Sequence, residues 1–149
     1  MDRNEGLLRQ AQRADIAAIQ RVRHSVHENK LTSRAGIPDS EVQTAIEETG
    51  RGWVIESGGE VVAFAIGLKT DGNIWALFVE PGHDRRGFGR RLHDTMVAWL
   101  WEQGLQTLWL TTTPATRAQH FYEIAGWKHA GLTQHGEILF ELQRPGTPA

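Results

Sequence analysis

Three apolar runs joined by two glycine turns constrain this chain more than any other feature. The runs are Trp53 to Glu56, Val61 to Leu68 and Asn73 to Val79, with Ser57-Gly58-Gly59-Glu60 and Asp71-Gly72 between them. Turns this short join antiparallel neighbours, so the middle of the chain reads as a three-stranded meander. The third run is continuously apolar rather than alternating, which predicts a strand covered on both faces. Pro81 ends it. Leu92, Met96, Trp99 and Leu100 then mark a helix over about 89–103, stopped by Gly104. A further apolar run, Leu105 to Thr111, completes a strand–helix–strand unit, whose two strands are expected to lie parallel.

The rest of the chain fits around this centre. Leu7 to Ala11 reads as a first strand. Asp15 opens a helix carrying Ile16, Ile19, Val22 and Val26 at helical spacing, running to about His27. Glu28 to Ser40 is polar and irregular, and a second helix over about 40–49 ends at Gly50. Pro114 to Ala125 is a fourth helix, stopped by Gly126. Trp127 to Leu132 and Glu137 to Leu142 form a closing hairpin. The order β-α-α-β-β-β-α-β-α-β-β describes an α/β chain of the α+β type. It predicts a mixed, mainly antiparallel seven-stranded sheet flanked by four helices. The 149 residues suit one domain, 1–149, with a frayed tail from Arg144.

Composition removes several classes of function. There is no cysteine, so disulfides, thiolate metal sites and a cysteine-bound acyl intermediate are excluded. A net charge of −2 gives no reason to expect a nucleic-acid or membrane-surface partner. The polar start, Met1 to Glu5, has no signal-peptide core, and a cytoplasmic protein is the expectation. His24 and His27, three apart and followed by Glu28, have a metal-like spacing. They lack a third ligand in a clear motif, so no metal is expected.

The turn Pro81-Gly82-His83-Asp84-Arg85-Arg86-Gly87-Phe88-Gly89-Arg90 lies between strand and helix. Glycines permit close backbone approach. A helix start offers unpaired N–H groups and a positive dipole end, which suits a phosphate or pyrophosphate. Arg85, Arg86, Arg90 and Arg91 supply cations around it. Two glycines alone fit an ordinary turn with solvated arginines equally well. A Walker loop is excluded because no Gly-Lys-Ser/Thr follows, and a dinucleotide fingerprint belongs after a first strand, not a fourth.

Leu77 to Leu92 resembles motif A of the GNAT superfamily of N-acetyltransferases: a strand ending in a Val-x-Pro step, then Q/R-x-x-G-x-G/A, then a helix with Leu three residues on. Val79, Pro81, Gly87, Gly89 and Leu92 match, and Asp84 stands at the Q/R place. Ala118 to Trp127 resembles motif B, A-x-x-[LF]-Y-x-x-x-G-[FW], through Ala118, Phe121, Tyr122, Gly126 and Trp127. Ala115 stands where an asparagine is often found. The resemblance implies acetyl-CoA as co-substrate. The backbone of Arg85, Arg86, Gly87, Phe88, Gly89 and Arg90 would hold its pyrophosphate, and Leu77, Phe78 and Val79 would pair with its pantetheine arm. It also implies direct transfer to a primary amine of a small or amino-acid-like acceptor. A protein N-terminus and a non-catalytic CoA sensor are the alternatives. Homodimers are common among similar proteins.

Individual residues carry two readings each. Tyr122 is implied as the general acid that protonates the leaving sulfur, its ordinary pKa being near 10; alone, it reads as a core tyrosine. Glu28 is a candidate general base or a solvated loop acid. Arg117 reaches a phosphate or the acceptor, or is a solvated helix arginine, and His120 faces either solvent or the cofactor. Glu80 is expected to point to solvent. Glu137 faces the acceptor or makes a cross-strand ion pair. Trp75 and Trp109 line the acceptor site or pack in the core, and core packing is the expectation. Asp84 is expected to be offset by its neighbours Arg85 and Arg86.

Overall fold

The computed structural model describes residues 6–26 and 36–146. The elements are β1 (Leu7–Gln10), α1 (Ile16–Ser25), α2 (Asp39–Glu47), β2 (Gly50–Ser57), β3 (Glu60–Leu68), β4 (Ile74–Val79), α3 (Phe88–Glu102), β5 (Thr107–Thr112), α4 (Arg117–Ile124), β6 (Lys128–Leu132) and β7 (Ile138–Gln143). A short 3-10 turn, Arg13–Asp15, leads into α1. Element types and order follow the sequence expectation. The seven strands divide into two antiparallel sheets, β1-β2-β3-β4 and β5-β7-β6. One parallel bridge, Asn73 to Trp109, joins β4 to β5.

That junction positions the site. At its narrow end the Trp109 N–H donates to the Gly72 carbonyl at 3.0 Å, and Asn73 Nδ2 donates to the Trp109 carbonyl at 3.3 Å. Beyond this point β4 and β5 run in the same direction but separate. A bulge helps: Ile66 pairs with Ala76 and Gly67 with Ile74, leaving Trp75 as the extra residue of β4. The continuous apolar run of β4 therefore does not produce a strand covered on both faces. Only Ile74 is buried, and residues 75–79 are half-exposed. The strand has lost its neighbour on one edge, and its apolar side chains line an opening instead.

Alternation along β2 and β3 splits the core between the two faces of the first sheet. Val54, Phe64 and Ile66 face α1 and α2, packing on Ile19, Val22, Val42 and Ile46. Trp53, Ile55, Ala63 and Ala65 face α3, whose Leu92, Met96 and Leu100 repeat at helical spacing. Gly67 lets α3 lie close, since a Cβ there would meet Met96 Cγ at 3.0 Å. The start of α1 is held by Asp15, which is buried. Its carboxylate accepts two hydrogen bonds from Arg9, at 2.8 and 2.9 Å, and one from the Gln12 N–H at 2.8 Å.

Several boundaries differ from the sequence reading. Gly50 begins β2 rather than ending α2, because its N-terminal neighbours Glu48 and Thr49 already close the helix onto the Thr44 carbonyl. Arg144 is anchored rather than frayed: its guanidinium donates to the carbonyls of Trp101 and Leu105, at 2.7 and 3.0 Å. Residues 147–149 lie outside the described residues, as do His27 and Glu28.

Candidate functional site

The opening between the two sheets leads into two cavities that share Leu77, Phe78, Ala118 and Tyr122. The larger, about 470 Å³, lies at the glycine turn. Its floor is Leu77, Phe78 and Val79 of β4. One side is Arg85, Gly87, Phe88, Gly89 and Arg90; the other is Arg117, His120 and Phe121 of α4. The sequence-derived residues therefore converge here, with two qualifications. Glu28 is outside the described residues. Arg86 turns aside: its guanidinium donates to Ser57 Oγ at 3.5 Å and lies over the Phe88 ring.

The turn has the backbone of an anion cradle. Arg85 and Gly87 both take left-handed φ, 70° and 79°. Gly87 caps α3, and the first helical amide that bonds within the helix is Arg91, to the Gly87 carbonyl at 3.0 Å. The amides of Phe88, Gly89 and Arg90 precede it at the positive end of a 15-residue helix. Gly89 is informative for a different reason. A Cβ there would stand 3.7 Å from Phe121 and Val79, an ordinary contact. Neither conformation nor internal packing requires glycine at 89, and the space it leaves is on the cavity side. The backbone at Gly89 is therefore open to the cavity.

Asp84 is offset by Arg117 of α4, which donates to its carboxylate in a close ion pair, rather than by Arg85 or Arg86. This pair is the main reason the Asp84 carboxyl sits below its ordinary pKa. Arg85 lines the cavity wall. Glu80 does not simply point to solvent; it lies 3.7 Å from Arg21 and 3.6 Å from His83.

Motif B is explained by local geometry. Thr116 caps α4 by accepting from the Gln119 N–H. At the other end the Gly126 N–H donates to the Glu123 carbonyl and the Trp127 N–H to the Tyr122 carbonyl, at 3.2 and 3.0 Å. These are the two bonds of a Schellman stop, which needs the left-handed φ of 99° at Gly126. The stop drives Trp127 into the core beside Tyr122, their rings 5.6 Å apart. Trp127 Nε1 donates to His93 Nε2 at 3.0 Å, and His93 Nδ1 meets Asp94 Oδ1 at 2.8 Å. A donor at Nε2 places the imidazole proton on Nδ1, so His93 is neutral in this arrangement. Tyr122 itself is 6% exposed and shared by both cavities. Burial pushes its phenol pKa above the ordinary value, so it carries its proton throughout the usual pH range.

The second cavity, about 270 Å³, runs from Tyr122 along the open edges of β4 and β5. Trp75 and Trp109 line it; both are half-exposed, so neither is a core residue as expected from sequence. Glu137 also lines it, rather than closing a cross-strand pair. The sequence reading missed Arg23, a wall residue that is only 4% exposed. Its Nε donates to Gln20 Oε1 at 3.3 Å, and Nη2 lies 3.3 Å from His24 Nε2. The signal was present: Arg23 falls four residues after Ile19 and seven after Ile16, on the apolar stripe of α1.

Comparison with known proteins agrees with this arrangement. The family model for the acetyltransferase (GNAT) family matches residues 15–127. A [ribosomal protein bS18]-alanine N-acetyltransferase of Escherichia coli K12 is 27% identical over 84 residues, covering 54% of this chain and 57% of that protein. The chain thus spans little more than half the length of that relative. The fold resembles the crystal structure of the ribosomal-protein-S18-alanine N-acetyltransferase from Escherichia coli, with a TM-score of 0.75, 21% identity and 93% of each chain covered. It also resembles the PaiA N-acetyltransferase of Thermoplasma acidophilum in complex with coenzyme A, with a TM-score of 0.79, 13% identity, and 93% and 99% of the two chains covered. With a family match over most of its length and the two motifs meeting at one opening, this chain belongs to the acetyltransferase (GNAT) family.

Proposed function

We propose that the protein transfers the acetyl group of acetyl-CoA directly to a primary amine, with Tyr122 as general acid. The observation that carries this reading is Tyr122 in the shared wall of two cavities, one built for an anionic donor and one open to an acceptor. The likeness to a structure holding coenzyme A supports the donor. The amides of the Arg85–Arg90 turn would hold the pyrophosphate, and the free edge of β4 at Leu77, Phe78 and Val79 would pair with the pantetheine amides.

Acetyl-CoA supplies an activated acetyl group as a thioester. A carbon–nitrogen bond forms as the carbon–sulfur bond breaks, and the amine loses a proton to solvent while the sulfur gains one. Tyr122 supplies the latter. Its raised pKa does not oppose this, because a thiolate leaving into the same dry wall is disfavoured for the same reason. With no cysteine in the chain, both substrates are bound together.

The test is Tyr122→Phe, which keeps the ring packing on Phe121 and Trp127. The turnover rate should fall by about 100-fold or more, with acetyl-CoA affinity retained. Unchanged turnover removes Tyr122 as the acid. A chain that binds acetyl-CoA yet acetylates no amine is a CoA sensor instead.

A further inference from the structure

The Tyr122 ring is held in the shared wall by other rings. Phe121 stands 5.2 Å from it between centroids, Trp127 5.6 Å, Phe140 6.1 Å and His93 6.4 Å. Of these neighbours only His93 can change its charge in the ordinary pH range. His93 also meets Phe121 and Trp127 edge-on, at 5.7 and 6.1 Å. It therefore touches the phenol and two of the rings that orient it.

The imidazole is part of a directional chain. Trp127 Nε1 donates to His93 Nε2 at 3.0 Å, and His93 Nδ1 donates to Asp94 Oδ1 at 2.8 Å. Asp94 accepts in turn from Arg90 Nε at 3.1 Å, and Arg90 lines the donor cavity. Trp127 is 3% exposed, so its N–H needs an acceptor inside the protein. A neutral imidazole with its proton on Nδ1 is that acceptor. An imidazolium carries N–H at both nitrogens and would set a donor against a donor. Close-packed rings have no room to absorb this, so the indole and the phenol packed on it must shift.

The charges acting on His93 come from α3: Asp94 favours the imidazolium and Arg90 opposes it. From α4 the titratable group facing the ring is the Tyr122 phenol, which keeps its proton. Arg117 and His120 of α4 line the donor cavity, and Glu123 is exposed and pairs with His129 of β6 at 2.9 Å. The face of β2 and β3 beneath α3 is apolar, with Trp53, Ile55, Ala63 and Ala65. Burial outweighs Asp94 and keeps the imidazole neutral.

We infer that neutral His93 is a positioning residue for the transfer step, holding the Trp127 indole and, through that ring, the Tyr122 phenol at the wall shared by the two cavities. Protonating His93 frees the indole and lowers turnover, while the donor cradle of turn amides and β4 edge is untouched. The inference rests on Tyr122 being the acid.

The experiment is a double-mutant cycle on the full chain with acetyl-CoA, reading thiol release. The acceptor is the primary amine that reacts fastest among free amino acids and short peptides. His93→Leu fills the site without offering Trp127 an acceptor. Near neutral pH it should lower kcat by about tenfold, with the KM for acetyl-CoA within about twofold. In the Tyr122→Phe background the same change should cost less than about twofold, because the group it positions is gone. His93→Gln keeps an acceptor and forms no imidazolium, so it should restore most of kcat. The ratio of unmodified to His93→Gln kcat, in which the amine's own titration cancels, should decline as pH drops below about 6.5. An equal loss from His93→Leu in both backgrounds, or a ratio flat with pH, overturns the positioning role and leaves Tyr122 as the acid. If His93→Leu does not fold, the pH dependence of that ratio decides. Unchanged turnover in Tyr122→Phe removes the acid and this inference with it. No transfer to any amine, with acetyl-CoA bound, overturns both.

Discussion

At the scale of single residues, Gly89 separates what the fold needs from what a ligand needs. It sits in the first turn of α3, has room for a methyl group, and faces the donor cavity. Gly89→Ala should therefore leave the fold intact and raise its stability by up to about 1 kcal/mol. The same change should weaken acetyl-CoA binding, since the methyl occupies the ligand's approach. Thermal unfolding and a binding titration should move in opposite senses; a variant that binds as well as the unmodified chain removes the turn from the donor site. Ala115 gives the converse case. Its φ of 62° is left-handed, a conformation that asparagine tolerates better than alanine. The departure from motif B is thus a strained position. Ala115→Asn should add about 0.5–1 kcal/mol, read as a shift in the denaturation midpoint. Asp84, the departure in motif A, is held by Arg117 across the mouth of the cavity. Asp84→Gln removes a negative charge beside the phosphate cradle and should tighten acetyl-CoA binding.

At the scale of elements, α4 and α3 are coupled through His93. The imidazole is 4% exposed and spans from Asp94 to Trp127, the residue placed by the stop at Gly126. Burial holds its pKa below the ordinary value, outweighing the opposing pull of Asp94. The unfolded chain takes up a proton at this side chain near pH 6.5, the folded chain only at lower pH. Below about 6.5 the unfolded state binds more protons, so stability should fall as pH drops from there through the lowered folded value and level off above 6.5. Urea unfolding at stepped pH checks this. His93→Gln, which keeps an acceptor for the Trp127 N–H, should flatten the slope over that window; an unchanged slope assigns it to another group. Gly126→Ala should cost about 1–2 kcal/mol through its left-handed φ. It should also lower turnover, since Trp127 packs against Tyr122.

At the scale of the whole molecule, two sheets meet at one parallel bridge, and the donor cavity lies where β4, α3 and α4 converge. A ligand binding there touches β4, α3 and α4 together and should stabilise the native chain by linkage. At acetyl-CoA near 100 times its dissociation constant the gain is about 2.7 kcal/mol, or roughly 5–10 °C in Tm for a chain of this length. A thermal shift series checks it, and the substitution of Gln for Gly87 and Gly89 together should abolish the shift.

The element order, the antiparallel meander, the glycine turn and the Gly126 stop follow from periodicity and from residues whose backbone preferences are strong at short range; these the chain determined by itself. The opening between β4 and β5 did not follow, because an apolar strand beside a cleft has the same composition as one buried on both faces. The partner of Asp84 lies 33 residues away, and Arg23 meets a cavity wall only because α1 packs on the first sheet. Which charges face a shared cavity depends on how distant segments meet, and only the tertiary structure decides that.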